Sequence, residues 1–218
     1  MSASIAAPAI RRSALENEHA RLGARWVSED ARWPADYGHP AGEADAAASA
    51  AGLAELGPLD KLLVRGPEAA ASVAVVGLDA GVWVLGPDEV LLLFRPEDNA
   101  AARIAEALAS VDVSLVDVGS AWSVLRLAGP AAPALLTELS PMPLAPRELD
   151  DGAVAHGPLV NVRAVVRRND AAVGPGYTIL VAREDAAYVW HAITELGEGH
   201  GLRAVGPGAV ARSAGGAA

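Results

Sequence analysis

Apolar residues in this chain recur in two patterns: short runs of Val and Leu, and longer stretches where Ala and Leu return every three or four positions. Residues 82–85 and 90–94 are runs of the first kind, joined by Gly86-Pro87-Asp88-Glu89, and predict a β-hairpin. Residues 97–109 are of the second kind, with Ala101, Ile104, Ala105 and Leu108 on one face of a predicted helix. Around them, 61–65 and 111–118 predict strands and 67–75 a helix. Further on, 123–127 predicts a strand and 130–139 a helix. Residues 159–167 and 177–182 predict hairpin strands around a turn containing Gly174-Pro175-Gly176, followed by a helix at 184–196 and a last strand near 202–205.

The segment before residue 60 is less regular. Residues 1–12 read as a loose tail. Ser13 is expected to cap a helix running through Leu15, His19 and Leu22 to Gly23, with Glu16 as its capping-box partner. Trp33-Pro34-Ala35-Asp36-Tyr37-Gly38 reads as loop, because Pro, Gly and Asp break any period. Residues 43–51 are alanine-rich and predict a helix stopped by Gly52.

A phrase recurs inside this order. Leu62-Leu63-Val64-Arg65-Gly66-Pro67-Glu68-Ala69 returns as Leu125-Arg126-Leu127-Ala128-Gly129-Pro130-Ala131-Ala132, a strand, a Gly-Pro break and an alanine-rich helix start each time. The elements after each copy also agree. The chain therefore predicts an α+β fold of two tandem β-α-β-β-α-β, ferredoxin-like units, the first at about 60–118 and the second at about 122–206. They are expected to form one domain over 13–210, with a tail at 211–218.

Composition narrows the function. With 218 residues, 52% hydrophobic and only 4% aromatic, the core must be built mainly of Ala, Val and Leu. A formal charge of −10 repels phosphate backbones, so nucleic acid is not an expected partner. There is no cysteine, hence no disulfide, thiolate nucleophile or cysteine metal site. The five histidines, at 19, 39, 156, 191 and 200, show no metal-binding spacing. No uncharged run is long enough to span a bilayer, and residues 1–8 are too short for a signal segment; a cytoplasmic protein is expected. Trp33 and Tyr37, in their irregular segment, are candidates to wall a planar ligand by stacking, whereas Trp122 and Trp190 read as core.

Several of these segments together resemble the folate-binding region of the glycine-cleavage T-protein and its relatives, which include sarcosine oxidase gamma subunits. They are Trp33-Pro34-Ala35-Asp36-Tyr37, Ala51 to Leu56 leading into Lys61 to Pro67, the hairpin Val82 to Leu92, and Tyr188 to Ile193 followed by His200 to Gly206. The resemblance implies a T-protein-like folate-binding domain without that family's C-terminal barrel. It implies tetrahydrofolate as cofactor, an amine as substrate, and aminomethyltransferase-like one-carbon transfer, with a partner or a second copy completing the site. The alternative it implies is a non-catalytic gamma-type subunit packed against the flavoprotein subunits of a sarcosine or amine oxidase. An aspartate before the first hairpin works at the folate nitrogen in this family, and Asp79 falls at that place. The family's second hairpin carries a Gly-Glu pair that grips the pterin; here the stretch Arg168 to Tyr177 has no Glu, and Asp170 is the substitute, with Arg168 and Tyr177 beside it. Arg163, Arg167 and Arg168 either meet a folate glutamate tail or form a solvated strand face. Gly57-Pro58 replaces a Ser-His pair usual in T-proteins.

Overall fold

The computed structural model describes residues 12–28, 32–76, 81–98 and 100–211. Asp79 and most of both predicted tails lie outside the described residues. In chain order the elements are α1 (Glu16–Arg21), β1 (Arg25–Trp26), β2 (Pro34–Asp36), α2 (Pro40–Ser49), β3 (Ala51–Glu55), β4 (Asp60–Arg65), α3 (Ala69–Val76), β5 (Gly81–Gly86), β6 (Glu89–Phe94), α4 (Ala100–Ala107), β7 (Ser114–Asp117), β8 (Trp122–Ala128), α5 (Ala132–Leu139), β9 (Val154–Leu159), β10 (Val162–Arg168), β11 (Gly176–Ala182), α6 (Ala186–Glu198) and β12 (Leu202–Ala204). Short 3-10 turns lie at Pro96–Asp98, Arg183–Asp185 and Pro207–Val210.

The first repeat forms a four-stranded antiparallel sheet in the order β5-β6-β4-β7, the ferredoxin-like arrangement. The second repeat forms a larger sheet, β12-β3-β8-β11-β10-β9, and departs from the expected unit twice. Strand β3, from ahead of the first repeat, enters between β12 and β8, parallel to β12 and antiparallel to β8. Strand β9 pairs with β10 at the opposite edge. Gly52 therefore sits inside a strand instead of ending a helix: an added Cβ there would lie 2.8–2.9 Å from Val205, Ala47 and Val210, so the close packing of α2 on β3 needs its absence.

The sheets stack face to face. Trp83, Leu91 and Leu93 of the smaller sheet meet Val124, Val165 and Leu180 of the larger. Helices α3 and α4 cover the outer face of the smaller sheet over Val64, Val90 and Leu92. Helices α5 and α6 cover the outer face of the larger over Leu125, Leu127, Ile179 and Val181. Burial on both faces explains why Val90-Leu91-Leu92-Leu93-Phe94 is a continuous apolar run.

The two Gly-Pro breaks have the same physical cause. Gly66 has φ +154° and Gly129 φ +130°, and an added Cβ at either would fall 2.4 Å from a backbone oxygen, of Asp112 and Ala47 respectively. Only glycine admits that approach. Neither break is an open anion site: the Gly66 N–H donates to the Asp88 carbonyl and the Glu68 N–H to the Asp88 side chain, while the Gly129 N–H donates to the Pro175 carbonyl and the Ala131 N–H to the Ala50 carbonyl.

The N-terminal segment differs from expectation. Trp33 leads into β2, which pairs with β1. Ser13 makes no capping box with Glu16; its Oγ accepts the Leu15 N–H at 2.7 Å and its hydroxyl is turned toward Glu55. Glu16 pairs with Arg12 instead.

Candidate functional site

The faces of the two sheets touch at their centre, where Trp83 is buried, and separate toward two ends. One opening is a cavity of about 520 Å³ lined by Trp33, Leu56, Pro58, Leu59, Trp122 and Val124, with Arg12, Lys61, Asp117 and Arg183 as its charged groups. The other, of about 590 Å³, lies between the Arg65 end of β4 and β6 and the β9–β10 hairpin. Both volumes suit a small organic ligand. Trp122, which the sequence suggests is core, is half-buried and lines both.

Trp33 owes its position to Gly57. Its indole lies so close to the Gly57 backbone that an added Cβ would sit 2.4 Å from the ring, and a cis peptide joins Gly57 to Pro58. The Trp33 Nε1–H is buried without a partner among the described residues. Lys61 is nearly enclosed, and its ammonium donates to the carbonyls of Leu59 at 3.1 Å and Gly119 at 3.0 Å. Arg183 donates to the Arg12 carbonyl at 2.7 Å, joining two residues of the cavity lining.

Tyr37 is turned away from this cavity. Its hydroxyl lies 2.7 Å from His19 Nδ1, His19 Nε2 lies 2.9 Å from Glu55 Oε2, and Ser13 bonds the same oxygen. His19 and Glu55 are fully buried, and the Trp190 ring stands perpendicular to the His19 ring with centroids 5.1 Å apart. Burial, reinforced by the charges of Glu55 and Glu43, raises the Tyr37 phenol well above its ordinary range, so it stays protonated. It therefore donates to Nδ1, and Nε2 carries the hydrogen that Glu55 accepts, an assignment that follows from the network. Glu55 Oε1 has no partner among the described residues. The chain of groups fastens α1 and the β1–β2 ribbon to β3.

Arg168, Asp170 and Tyr177 lie at the opposite end of the larger sheet from Trp33. Arg168 and Asp170 form a two-point ion pair at 3.0 and 2.8 Å. The remaining Arg168 nitrogen donates to the carbonyls of Pro146 and Leu149. Tyr177 is buried in the core, and its hydroxyl donates to the Leu144 carbonyl at 2.9 Å. These groups hold one another and the 144–149 loop. Arg163 lines the 590 Å³ cavity, and Arg167 donates to the Gly152 carbonyl.

Two buried carboxylates escaped the sequence reading. Glu43 accepts the backbone N–H groups of Tyr37 and His39 on one oxygen and of Gly206 on the other, joining β2, α2 and the C-terminal segment. Glu55 was visible only as a lone acid in Ala51-Gly52-Leu53-Ala54-Glu55-Leu56, a signal that asks for a buried partner without naming it.

The chain is 27% identical over 225 residues to an aminomethyltransferase of Saccharopolyspora erythraea, covering 90% of this chain and 60% of that one. It is 30% identical over 102 residues to the sarcosine oxidase subunit gamma of an Arthrobacter species, covering 47% of this chain and 50% of the other. Its fold matches a chain of the heterotetrameric sarcosine oxidase from Corynebacterium sp. U-96 with a TM-score of 0.66 and 20% identity, covering 89% of this chain and 98% of that chain. The chain thus spans about 60% of the length of the aminomethyltransferase it matches. The GCVT N-terminal domain profile matches residues 74–213, and with the duplicated fold already described, this makes the chain a member of the GCVT N-terminal domain family.

Proposed function

We propose that this chain binds tetrahydrofolate in the cleft between its sheets and takes part, in the cytoplasm, in transfer of a one-carbon unit to or from an amine. The observation that carries this reading is the 520 Å³ cavity, where two indole rings stand beside Arg12, Lys61 and Arg183 in a chain of net charge −10. Tetrahydrofolate combines a flat ring system with carboxylates, which suits indole walls and cations. The unpartnered Trp33 N–H also offers a donor on that wall. Trp33 and Trp122 would hold the rings, and Arg183 and Lys61 the acidic end. Bound tetrahydrofolate supplies the nitrogen that carries the one-carbon unit. Asp79 is the carboxylate proposed to place a proton or balance charge at that nitrogen. Arg168, Asp170 and Tyr177 serve the framework in this reading, because they lie at the opposite end of the larger sheet, outside the lining of this cavity.

Calorimetry and thermal denaturation with tetrahydrofolate test it. Ligand at about 100 times its Kd stabilises the native state by about 2.7 kcal/mol. Trp33→Ala is expected to weaken binding and Asp79→Asn to keep binding while removing turnover. No heat and no rise in Tm at saturating tetrahydrofolate would reject the reading.

A second reading, a gamma-type subunit of a flavin-dependent sarcosine or amine oxidase, is favoured by the 98% coverage of one chain of the heterotetrameric enzyme. Co-expression with the flavoprotein subunits of a sarcosine or amine oxidase is expected to give a stable complex under this reading. A chain that stays separate from them counts against it.

A further inference from the structure

The 590 Å³ cavity has a chemistry of its own. Its floor is apolar, from Leu63, Leu85, Leu91, Trp122 and Val165, and its rim is polar, from Arg65, Glu89, His156, Asn161 and Arg163. The charged lining residues are two arginines and one glutamate, a local positive excess on a chain of net charge −10. Such an excess in a low-dielectric recess attracts anions. The rim is also ordered unevenly. Arg65 is held by Glu89, with contacts of 2.7 and 2.5 Å across the β4–β6 pair, so its charge is already matched. Arg163, His156 and Asn161 have no side-chain hydrogen bond or ion pair among the described residues.

The turn that carries Asn161 is strained. Val160 has φ +44° and Asn161 φ +67°. A β-branched residue rarely adopts positive φ, and such strain persists only where the surroundings enforce it. Here the Val160 N–H donates to the Leu139 carbonyl at 2.9 Å, and the side chain packs against the main core. The fold therefore maintains an unfavourable turn that sets Asn161 on the rim beside Arg163.

We infer that this cavity is a binding site for a small amphipathic carboxylate, its apolar body on the Leu63, Leu91 and Val165 floor and its carboxylate on Arg163, with Asn161 and His156 as further donors. The inference does not rest on folate binding, which is assigned to the other end of the cleft.

The test is an amide NMR titration of the full chain with phenylacetate and, separately, with its neutral isostere phenylacetamide. Saturable shifts are expected for phenylacetate, in the millimolar range, confined to Trp122 and the residues around 63–65, 85–91 and 156–165. Phenylacetamide should bind roughly tenfold more weakly, having lost a charge-assisted contact. Arg163 is exposed, so Arg163→Gln should fold normally, and it should bring the acid down to the affinity of the amide. The phenylacetate shifts should persist when tetrahydrofolate is present at saturation. Absence of saturable shifts, shifts centred elsewhere, equal binding of acid and amide, an unchanged preference in Arg163→Gln, or displacement by tetrahydrofolate would each overturn the assignment. Failure of tetrahydrofolate to bind at all bears on the proposed function alone.

Discussion

Replacing Glu55 by leucine isolates the buried network of the N-terminal segment. Leucine is close to glutamate in size, so little cavity is created, and the change removes the acceptor for His19 Nε2 and the Ser13 hydroxyl. Breaking a buried ionic or charge-assisted pair by removing one partner costs about 3–5 kcal/mol. Apolar burial of the new side chain offsets part of this, leaving roughly 3 kcal/mol. In a chain of this length each kcal/mol moves Tm by about 2–4 °C, so Tm should fall by roughly 6–12 °C. Circular dichroism during thermal denaturation measures it. The double variant Glu55→Leu with His19→Leu should cost less than the sum of the two single changes, with a coupling of roughly 2 kcal/mol, because it leaves neither partner stranded. A fall in Tm below about 2 °C, or single changes that add within about 0.5 kcal/mol, would refute the network as the fastening of α1 to β3.

Three further outcomes are expected. Burial pushes the Tyr177 phenol up from 10.0 to about 12, with Asp170 adding to the rise and Arg168 opposing it. The unfolded chain therefore loses this proton first; the contribution is complete below pH 10 and is lost as pH rises through about 12, so Tyr177→Phe should flatten an alkaline denaturation curve over that window. Gly66→Ala and Gly129→Ala should each destabilise by roughly 2 kcal/mol or more in urea titrations, whereas Gly86→Ala, which has open space around it, should change little. Arg168→Gln should speed amide hydrogen exchange in the 146–152 loop, whose Pro146 and Leu149 carbonyls it holds, and leave tetrahydrofolate affinity as it was.

Much of the architecture was legible because it is repeated. Strands β4, β6, β8 and β11 and helices α3, α5 and α6 lie where the apolar patterns predict them, within a few residues. Strands β3 and β9 were not assigned, for different reasons. Ala51-Gly52-Leu53-Ala54-Glu55 has little of the β-branched or aromatic character of a strand, and pairing on both sides, with β12 and β8, makes it one. The β9 segment carries Gly157 and Pro158, which suit an edge and little else.

The candidate site was less legible, because side chains that serve chemistry and side chains that serve packing share one alphabet. Arg168, Asp170 and Tyr177 have the composition of a ligand grip, and they spend their hydrogen bonds on one another and on the 144–149 loop. Tyr37 pairs with a histidine 18 positions earlier, and Glu55 with that same histidine 36 positions away, distances that no local pattern encodes.

By itself the sequence determined the duplication, the order of the elements that repeat, the Gly-Pro breaks at 66 and 129 and the absence of thiol chemistry, since these follow from local periodicity, turn propensity and composition. Only the tertiary structure decided which carboxylates are buried, that β3 crosses into the second sheet, and that the two sheets meet at Trp83 and part at either end. Those outcomes depend on contacts between residues far apart in the chain, where burial and the pairing of every enclosed polar group select one arrangement among many that the same local patterns allow.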